Sequence, residues 1–370
     1  MGPAFIAAIA YVDPGNVATN ITAGARFGYT LVWVIVLANL MAVLVQYLSA
    51  KLGLVTQKSL AAQVGGRVSP PTRFCYWLQA EGIAIATDLA EVIGGAIAFQ
   101  LLFGIPLPLG ALLTAAVAMV VLAIGDRRGQ GALERVIIGF LLLIAVGFLA
   151  GLVVSPPSAA GVASGLVPSF AGADSVLLAS GIVGATVMPH VVYLHSSLTA
   201  GRLGGRGERS SLPELLSATR LDVVLALALA GLMNLGLLLM AAANLYGLEG
   251  TDTIEGAHAL ISSQIGPGVA LLFAVALLGS GISSTSVGSA AGAEVMFSLT
   301  GWRLAPLTRR LITLTPAVIL LIAGVDPTGA LVISQVVLSM GIPFAIIPLV
   351  RLTSSRAVMG DYVNAPWTTF

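Results

Sequence analysis

Residues 3–26 read PAFIAAIAYVDPGNVATNITAGAR, an apolar stretch interrupted by Asp13-Pro14-Gly15-Asn16. A membrane-crossing helix needs about 20 mostly apolar residues, and this stretch is long enough. Proline removes an amide donor and clashes with the preceding turn, so the helix is predicted to break there. In a bilayer every backbone polar group needs a partner. Unwound backbone is tolerated only where it lines a cavity or meets a ligand. Asp-Pro-Gly-Asn is also a common turn signal in soluble proteins, but here it lies inside an apolar span.

The rest of the chain agrees with a membrane setting. Of its 370 residues, 57% are hydrophobic and only 9% charged, with a mean hydropathy of +1.00. A soluble globule of this length could not cover its surface with so few charges, which excludes a soluble enzyme, a disordered chain and a secreted disulfide scaffold. A net charge of +1 gives no sign of a nucleic-acid partner. Cys75 is the single cysteine, so neither an internal disulfide nor a thiolate metal cluster is available.

Ten spans are predicted, near 3–26, 30–53, 74–103, 107–124, 132–154, 175–200, 213–246, 269–299, 305–324 and 330–350. The apolar runs are long and lack two-residue alternation, so the protein is expected to be all-α. Sixteen of the 17 basic residues fall in loops after even-numbered spans or at the end of the chain; Arg26 is the exception. They include Arg127, Arg128, Arg202, Arg206 and Arg209, whereas 155–174 and 247–268 contain no Lys or Arg. By the positive-inside rule both termini of this chain are cytoplasmic, in a multi-pass protein of the cell membrane. The first span has no basic leader or cleavage pattern of a signal peptide. Residues 1–350 are read as one transport domain, and 351–370 as a cytoplasmic polar tail.

Five is an odd number of spans. If 3–154 and 175–350 are structural repeats, the second is inverted relative to the first. The sixth span is also interrupted, at Gly184-Ala185-Thr186-Val187-Met188-Pro189-His190. Matched interruptions in corresponding spans of two halves point to a transporter binding site. The carbonyls freed near Ala10–Tyr11 and Ala185–Thr186 are acceptors for a cation. Asp13 at mid-membrane costs at least about 2.5 kcal/mol and is a functional candidate by default. Asn16 adds an amide oxygen and Met188 a thioether sulfur. Calcium and magnesium want oxygen-only shells. The sulfur favours Mn²⁺, Fe²⁺, Co²⁺ or Cd²⁺.

The third span carries Glu81, Asp88 and Glu91, at spacings of seven and three residues along one helical face. Buried carboxylates in this arrangement serve either as a proton relay or as ion-pair partners of arginines at the span ends. His190 titrates near neutral pH when unperturbed, so it either assists proton transfer or bonds inside the bundle. His195 reads as structural. The small residues from Gly279 to Ser286 read as a close-packing stripe, and Glu294 is expected to pair with an arginine.

Asp13-Pro14-Gly15-Asn16 with Met188-Pro189-His190 resembles the Nramp family of proton-coupled divalent metal transporters. The similarity extends over the chain and includes Ala86-Thr87-Asp88-Leu89-Ala90-Glu91. The resemblance implies a LeuT-like fold of two inverted five-helix repeats with helices 1 and 6 broken. It implies metal on Asp13, Asn16 and Met188, with carbonyls from Ala10 and Ala185. It implies that Asp88 and Glu91 lie near Arg309 and Arg310 on a proton exit path, with Asp13 the first coupling group. By the same resemblance Gln46, Asn39, Asn234 and Gln335 line a vestibule or gate or complete the metal shell, Gln335 being placed with the metal ligands. Thr186 is a further gate candidate. Many members have an eleventh or twelfth span and an N-terminal tail, and this chain shows neither.

The expected function is import of Mn²⁺ or a similar ion with protons, by alternating access. No resident cofactor and no obligate protein partner are expected beyond the bilayer. The alternative is a sodium-coupled symporter of small organic solutes, which would not need Met188. It would want an exposed helix end for a substrate carboxylate. An enzyme is not expected, since no HExxH or G-x-S-x-G motif is present and no serine adjoins a histidine at the breaks.

Overall fold

The structure is a computed structural model. It describes residues 3–128, 130–200 and 211–365, with side chains except at 122, 124–134 and 306–307. The expectations for Arg127, Arg128, Arg202, Arg206, Arg209 and for 366–370 of the tail therefore lie outside the described residues or side chains.

The first span is two helices, α1 (Pro3–Ala10) and α2 (Pro14–Phe27), separated at Tyr11-Val12-Asp13. Pro14 sits at the start of α2, where its missing N–H costs nothing and its fixed φ suits a helix. Next come α3 (Val32–Thr56), the short α4 (Leu60–Gly65), α5 (Pro70–Phe103), α6 (Leu107–Arg128) and α7 (Gln130–Val154). A short α8 (Ala159–Gly165) leads into the second half. There the sixth span is again two helices, α9 (Ala173–Thr186) and α10 (Pro189–Thr199), parted at Val187-Met188 with Pro189 opening α10. The chain continues through α11 (Leu212–Asn244), α12 (Ile254–Gln264), α13 (Pro267–Thr300), α14 (Pro306–Ile322), α15 (Pro327–Thr353) and α16 (Arg356–Met359).

Seven of these, counting α9–α10 as one, are long and apolar enough to cross a membrane. The other three expected spans are the divided α1–α2, α6, and α14 with 17 residues. Four short helices, α4, α8, α12 and α16, are additions to the expected spans. Three of them start on side-chain caps, from Ser59, Ser158 and Thr253. A cap of this kind stabilises a helix start by about 1 kcal/mol but leaves no hydropathy signal.

The two broken helices pack head to tail. α1 lies against α10, while α2 lies against α9. This is the arrangement expected of an inverted pair, and it brings both breaks to one level. α11 holds both halves of the first span, and α5 packs along α13 as the main scaffold contact. The α2–α5 contact is close enough that a methyl group at Gly94 would collide with the Pro14 ring.

Leu40, Val120, Val146, Ile319, Ile333 and Met340 point outward and are exposed, as side chains facing lipid should be. The sequence exception Arg26 ends α2 and pairs at 2.8 Å with Asp174 at the start of α9, in the loop that lacks basic residues. Both side chains are largely exposed, so the pair contributes little stability. After α15 the chain folds back. Asn364 donates to Thr353 Oγ1 at 2.8 Å and accepts from Lys51 Nζ at 3.2 Å, tying this segment to α3.

Candidate metal centre

Asp13 caps α2. Its Oδ1 accepts from the Asn16 backbone N–H at 2.9 Å and from Asn16 Nδ2 at 2.7 Å. Its Oδ2 accepts from Gln335 Nε2 at 3.2 Å. The local sequence requires this shape. Gly15 leaves room for Gln335, since any side chain there would collide with the Gln335 amide. Asn16 Nδ2 also donates to the carbonyl of Ala185 at 2.9 Å, so one amide spans the two breaks. Asp13, Asn16, Ala185, Met188 and Gln335 are all buried, none more than 1% exposed. Met188 occupies the N-cap position of α10 without a side-chain cap bond.

Two buried amide oxygens here, Asn16 Oδ1 and Gln335 Oε1, have no hydrogen-bond donor. Buried polar atoms are almost always paired. Two lone acceptors beside a carboxylate and a helix-end carbonyl form a donor-poor, oxygen-rich spot that suits a cation. Among the described residues no group of three His, Cys, Asp or Glu could hold a metal, so a histidine- or carboxylate-rich centre is not formed there. The groups at the breaks are one carboxylate, two side-chain amides, helix-end carbonyls and the Met188 thioether.

Around this spot the unwound Tyr11-Val12 segment is held from three sides. Tyr11 O accepts from Asn234 Nδ2 at 2.7 Å, and Asn234 Oδ1 accepts from Asn20 Nδ2 at 3.3 Å. Val12 O accepts from Ser280 Oγ, and the Tyr11 hydroxyl accepts from Gln46 Nε2 at 2.6 Å. Gln46 Oε1 meets His195 Nδ1 at 2.8 Å. Gln46 and Asn234 therefore touch the break itself, and His195 supports Gln46. Asn39 instead packs against the α11 backbone at Gly231, away from these contacts. Thr186 is buried at the end of α9. Ala10 ends α1, and the helix tightens beyond it through Tyr11 N→Ala8 O and Val12 N→Ile9 O bonds.

The three carboxylates on α5 divide. Glu81 pairs with Arg309 at 3.1 Å, and Asp88 with Arg310 at 3.1 Å. Arg310 Nη1 also donates to Ser289 at 3.2 Å. Glu91 is fully buried with both oxygens lacking a hydrogen-bond partner, and it lies against Gly288. His190 Nδ1 meets Thr87 Oγ1 at 3.4 Å, and His190 and Glu81 line one narrow cavity between α5, α10 and α13. Among the described residues Glu294 does not form the expected arginine pair. It accepts from Ser298 Oγ at 2.8 Å, one turn along its own helix.

Tyr11, Ser280 and Thr87 are contacts that sequence reasoning missed. Tyr11 carried a signal, because a phenol two residues from a mid-membrane aspartate needs a partner. Ser280 reads in the sequence only as part of a packing stripe, and the structure adds its bond to Val12.

A bundle of this kind, with two antiparallel broken helices meeting at a buried carboxylate, defines a polytopic membrane protein of the LeuT fold. The chain belongs to the Nramp family: the family model described as natural resistance-associated macrophage protein-like matches residues 4–370. Its members are transporters and not enzymes. The chain is 55% identical over 370 residues to the divalent metal cation transporter MntH of Mycobacterium tuberculosis (strain ATCC 25618 / H37Rv), covering 100% of this chain and 86% of that relative. A crystal structure of the Eremococcus coleocola manganese transporter, in complex with an aromatic bis-isothiourea substituted compound, superposes with a TM-score of 0.87 at 34% identity, covering 100% of this chain and 82% of the other. The nucleobase-cation-symport-1 family transporter Mhp1 aligns with a TM-score of 0.65 at 16% identity, over 100% of this chain and 83% of that one, a likeness of fold alone.

Proposed function

We propose that this protein carries Mn²⁺, and similar ions such as Fe²⁺, Co²⁺ and Cd²⁺, into the cell together with protons, by alternating access in the cell membrane with both ends of this chain cytoplasmic. The metal is the substrate, and no resident cofactor or protein partner is invoked. The carrying observation is the pair of unpartnered oxygens, Asn16 Oδ1 and Gln335 Oε1, beside Asp13 at the junction of the two breaks. Both amides hold the carboxylate through N–H groups. Rotation of either amide about its last torsion exchanges an N–H donor for an oxygen ligand at the same place. Carbonyls of Ala10 and Ala185 and the sulfur of Met188 complete a mixed oxygen and sulfur shell, which suits softer divalent ions. The MntH relative and the manganese transporter named above support this choice of cargo.

A cation that binds Asp13 excludes a proton from the same oxygens. The next carboxylate is Glu91 on α5, which makes no direct ion pair of its own although Arg310 lies near it, followed by the Asp88–Arg310 and Glu81–Arg309 pairs, with His190 alongside. This order makes Glu91 the relay group and the two pairs its exit. Rocking of the broken helices against the α5–α13 scaffold would expose the site to each side in turn.

The symporter of organic solutes is disfavoured by one contact. The N-terminus of α2, where a substrate carboxylate would dock, already carries Asp13 as its cap. The test is uptake of radioactive Mn²⁺ into proteoliposomes with an internal pH dye. Metal-dependent acidification is expected, and metal uptake without it would remove the coupling. Sodium-dependent uptake of an organic solute with no metal uptake would overturn the reading.

A further inference from the structure

A second cavity, of about 380 Å³, opens where α13 ends and α14 begins. Glu294, Phe297, Trp302, Arg303, Leu304 and Arg309 line it. Its position is fixed by the turn at Gly301, whose φ of 76° ends α13 in the left-handed region. The cavity therefore lies at the level of the helix ends, not in mid-span. Phe297, Trp302 and Leu304 are exposed at its mouth. Trp302 packs edge-on against Trp77 at 5.5 Å, and Trp77 against Phe74 at 5.2 Å. Aromatic clusters of this kind mark the membrane–water interface.

The charges inside the cavity are unequal. The lining holds two arginines and one carboxylate: Glu294 accepts from Ser298 and keeps its charge, while Arg309 is paired with Glu81 from outside the lining. The Arg303 guanidinium stands over the Phe297 ring at 4.1 Å, and among the described residues no carboxylate pairs with it. Stacking fixes the planar fork while leaving its N–H edges free for a bidentate oxyanion. Arg73, at the start of α5, comes near the same end of α13 by its contact with Gly65. A basic pocket between spans, at headgroup level and rimmed by aromatic and apolar side chains, is the chemistry of an anionic lipid site.

We propose that this cavity holds the phosphate headgroup of an anionic phospholipid, with Arg303 as its principal ligand and the acyl chains leaving past Phe297, Trp302 and Leu304. The proposal does not depend on the metal-transport reading. A free phosphate shares the headgroup chemistry but gains nothing from the apolar mouth, and a volume of a few hundred ångströms cubed exceeds what it needs.

The test is native mass spectrometry of the detergent-purified chain titrated with phosphatidylglycerol or phosphatidylcholine. Wild type should retain one phosphatidylglycerol at least tenfold more tightly than phosphatidylcholine. Arg303→Gln should lose that preference about tenfold, and Arg303→Lys, which keeps the charge but neither the stacked plane nor the bidentate fork, should keep only part of it. Unchanged Mn²⁺ uptake of Arg303→Gln in phosphatidylcholine vesicles confirms that the variant is folded. The proposal is overturned if Arg303→Gln binds phosphatidylglycerol as wild type does. It is equally overturned if millimolar inorganic phosphate displaces the lipid, which would make the cavity a soluble-anion site.

Discussion

Asn16 Nδ2 donates to the carbonyl of Ala185 at 2.9 Å, across 169 residues of sequence, so a single amide joins the broken helix of one half to that of the other. The same nitrogen reaches Asp13 Oδ1 at 2.7 Å. One side chain thus sets the distance between a carboxylate and a helix-end carbonyl.

Replacing that amide with a hydrocarbon of similar shape separates its roles. Asn16→Leu removes two donors from buried acceptors, at a cost of about 1–3 kcal/mol for each oxygen left unsatisfied. Metal uptake should fall at least a hundredfold in proteoliposomes, and a melting scan should show a lower Tm. Asp13→Ala should abolish uptake outright. Residual saturable uptake by Asp13→Ala would mean that the ion is held elsewhere.

Met188 is expected to act on choice of ion more than on turnover. Met188→Ala removes the soft ligand and leaves oxygen donors, which calcium and magnesium prefer. The variant should retain part of its Mn²⁺ uptake while losing discrimination against calcium. Competition assays against radioactive Mn²⁺ measure this, and wild-type discrimination in the variant would sink the thioether argument.

Gly15 is a sensitive neighbour of the site. A methyl group there meets the flexible end of Gln335 and not backbone, so Gly15→Ala should fold normally but push the amide off Asp13. Its apparent metal affinity should drop about tenfold, worth about 1.4 kcal/mol. Gln335→Ala should drop it to a similar degree, and the double variant no further. Additive losses would show that the two residues act separately.

The α5 carboxylates should respond differently to neutralisation. Asp88→Asn leaves Arg310 buried without its counter-charge, which costs about 3–5 kcal/mol. It should lower Tm and weaken proton movement more than metal binding. Glu91→Gln breaks no ion pair, so its stability should stay near wild type while metal-driven acidification is lost. Parallel measurements of Tm, metal binding and internal pH separate the cases. Acidification at the wild-type rate in both variants would remove α5 from the proton route.

Much of this site is legible in the sequence, because proline and aspartate inside apolar spans have few explanations. Asp13, Asn16, Ala185 and Met188 can be named from the two breaks and the resemblance they carry. The paired and unpaired members of the Glu81, Asp88 and Glu91 stripe cannot be told apart there. That distinction depends on where α14 sets Arg309 and Arg310, and helical spacing along α5 says nothing of it. The bond from Gln335 to Asp13 is likewise a product of packing, spanning 322 residues. The short helices between spans escape a hydropathy reading because each is too short to register as a span, and three of the four are marked only by a side-chain cap. Glu294 has the charge to seek an arginine, but its hydrogen bond comes from a serine one turn away on the same helix.

The most direct test of the central claim is anomalous scattering from crystals soaked in Mn²⁺. The account requires the strongest peak to lie among Asp13, Asn16, Met188 and Gln335, within ligand distance of the carboxylate and the sulfur. A strongest peak at any other place, with nothing beside Asp13, would contradict it.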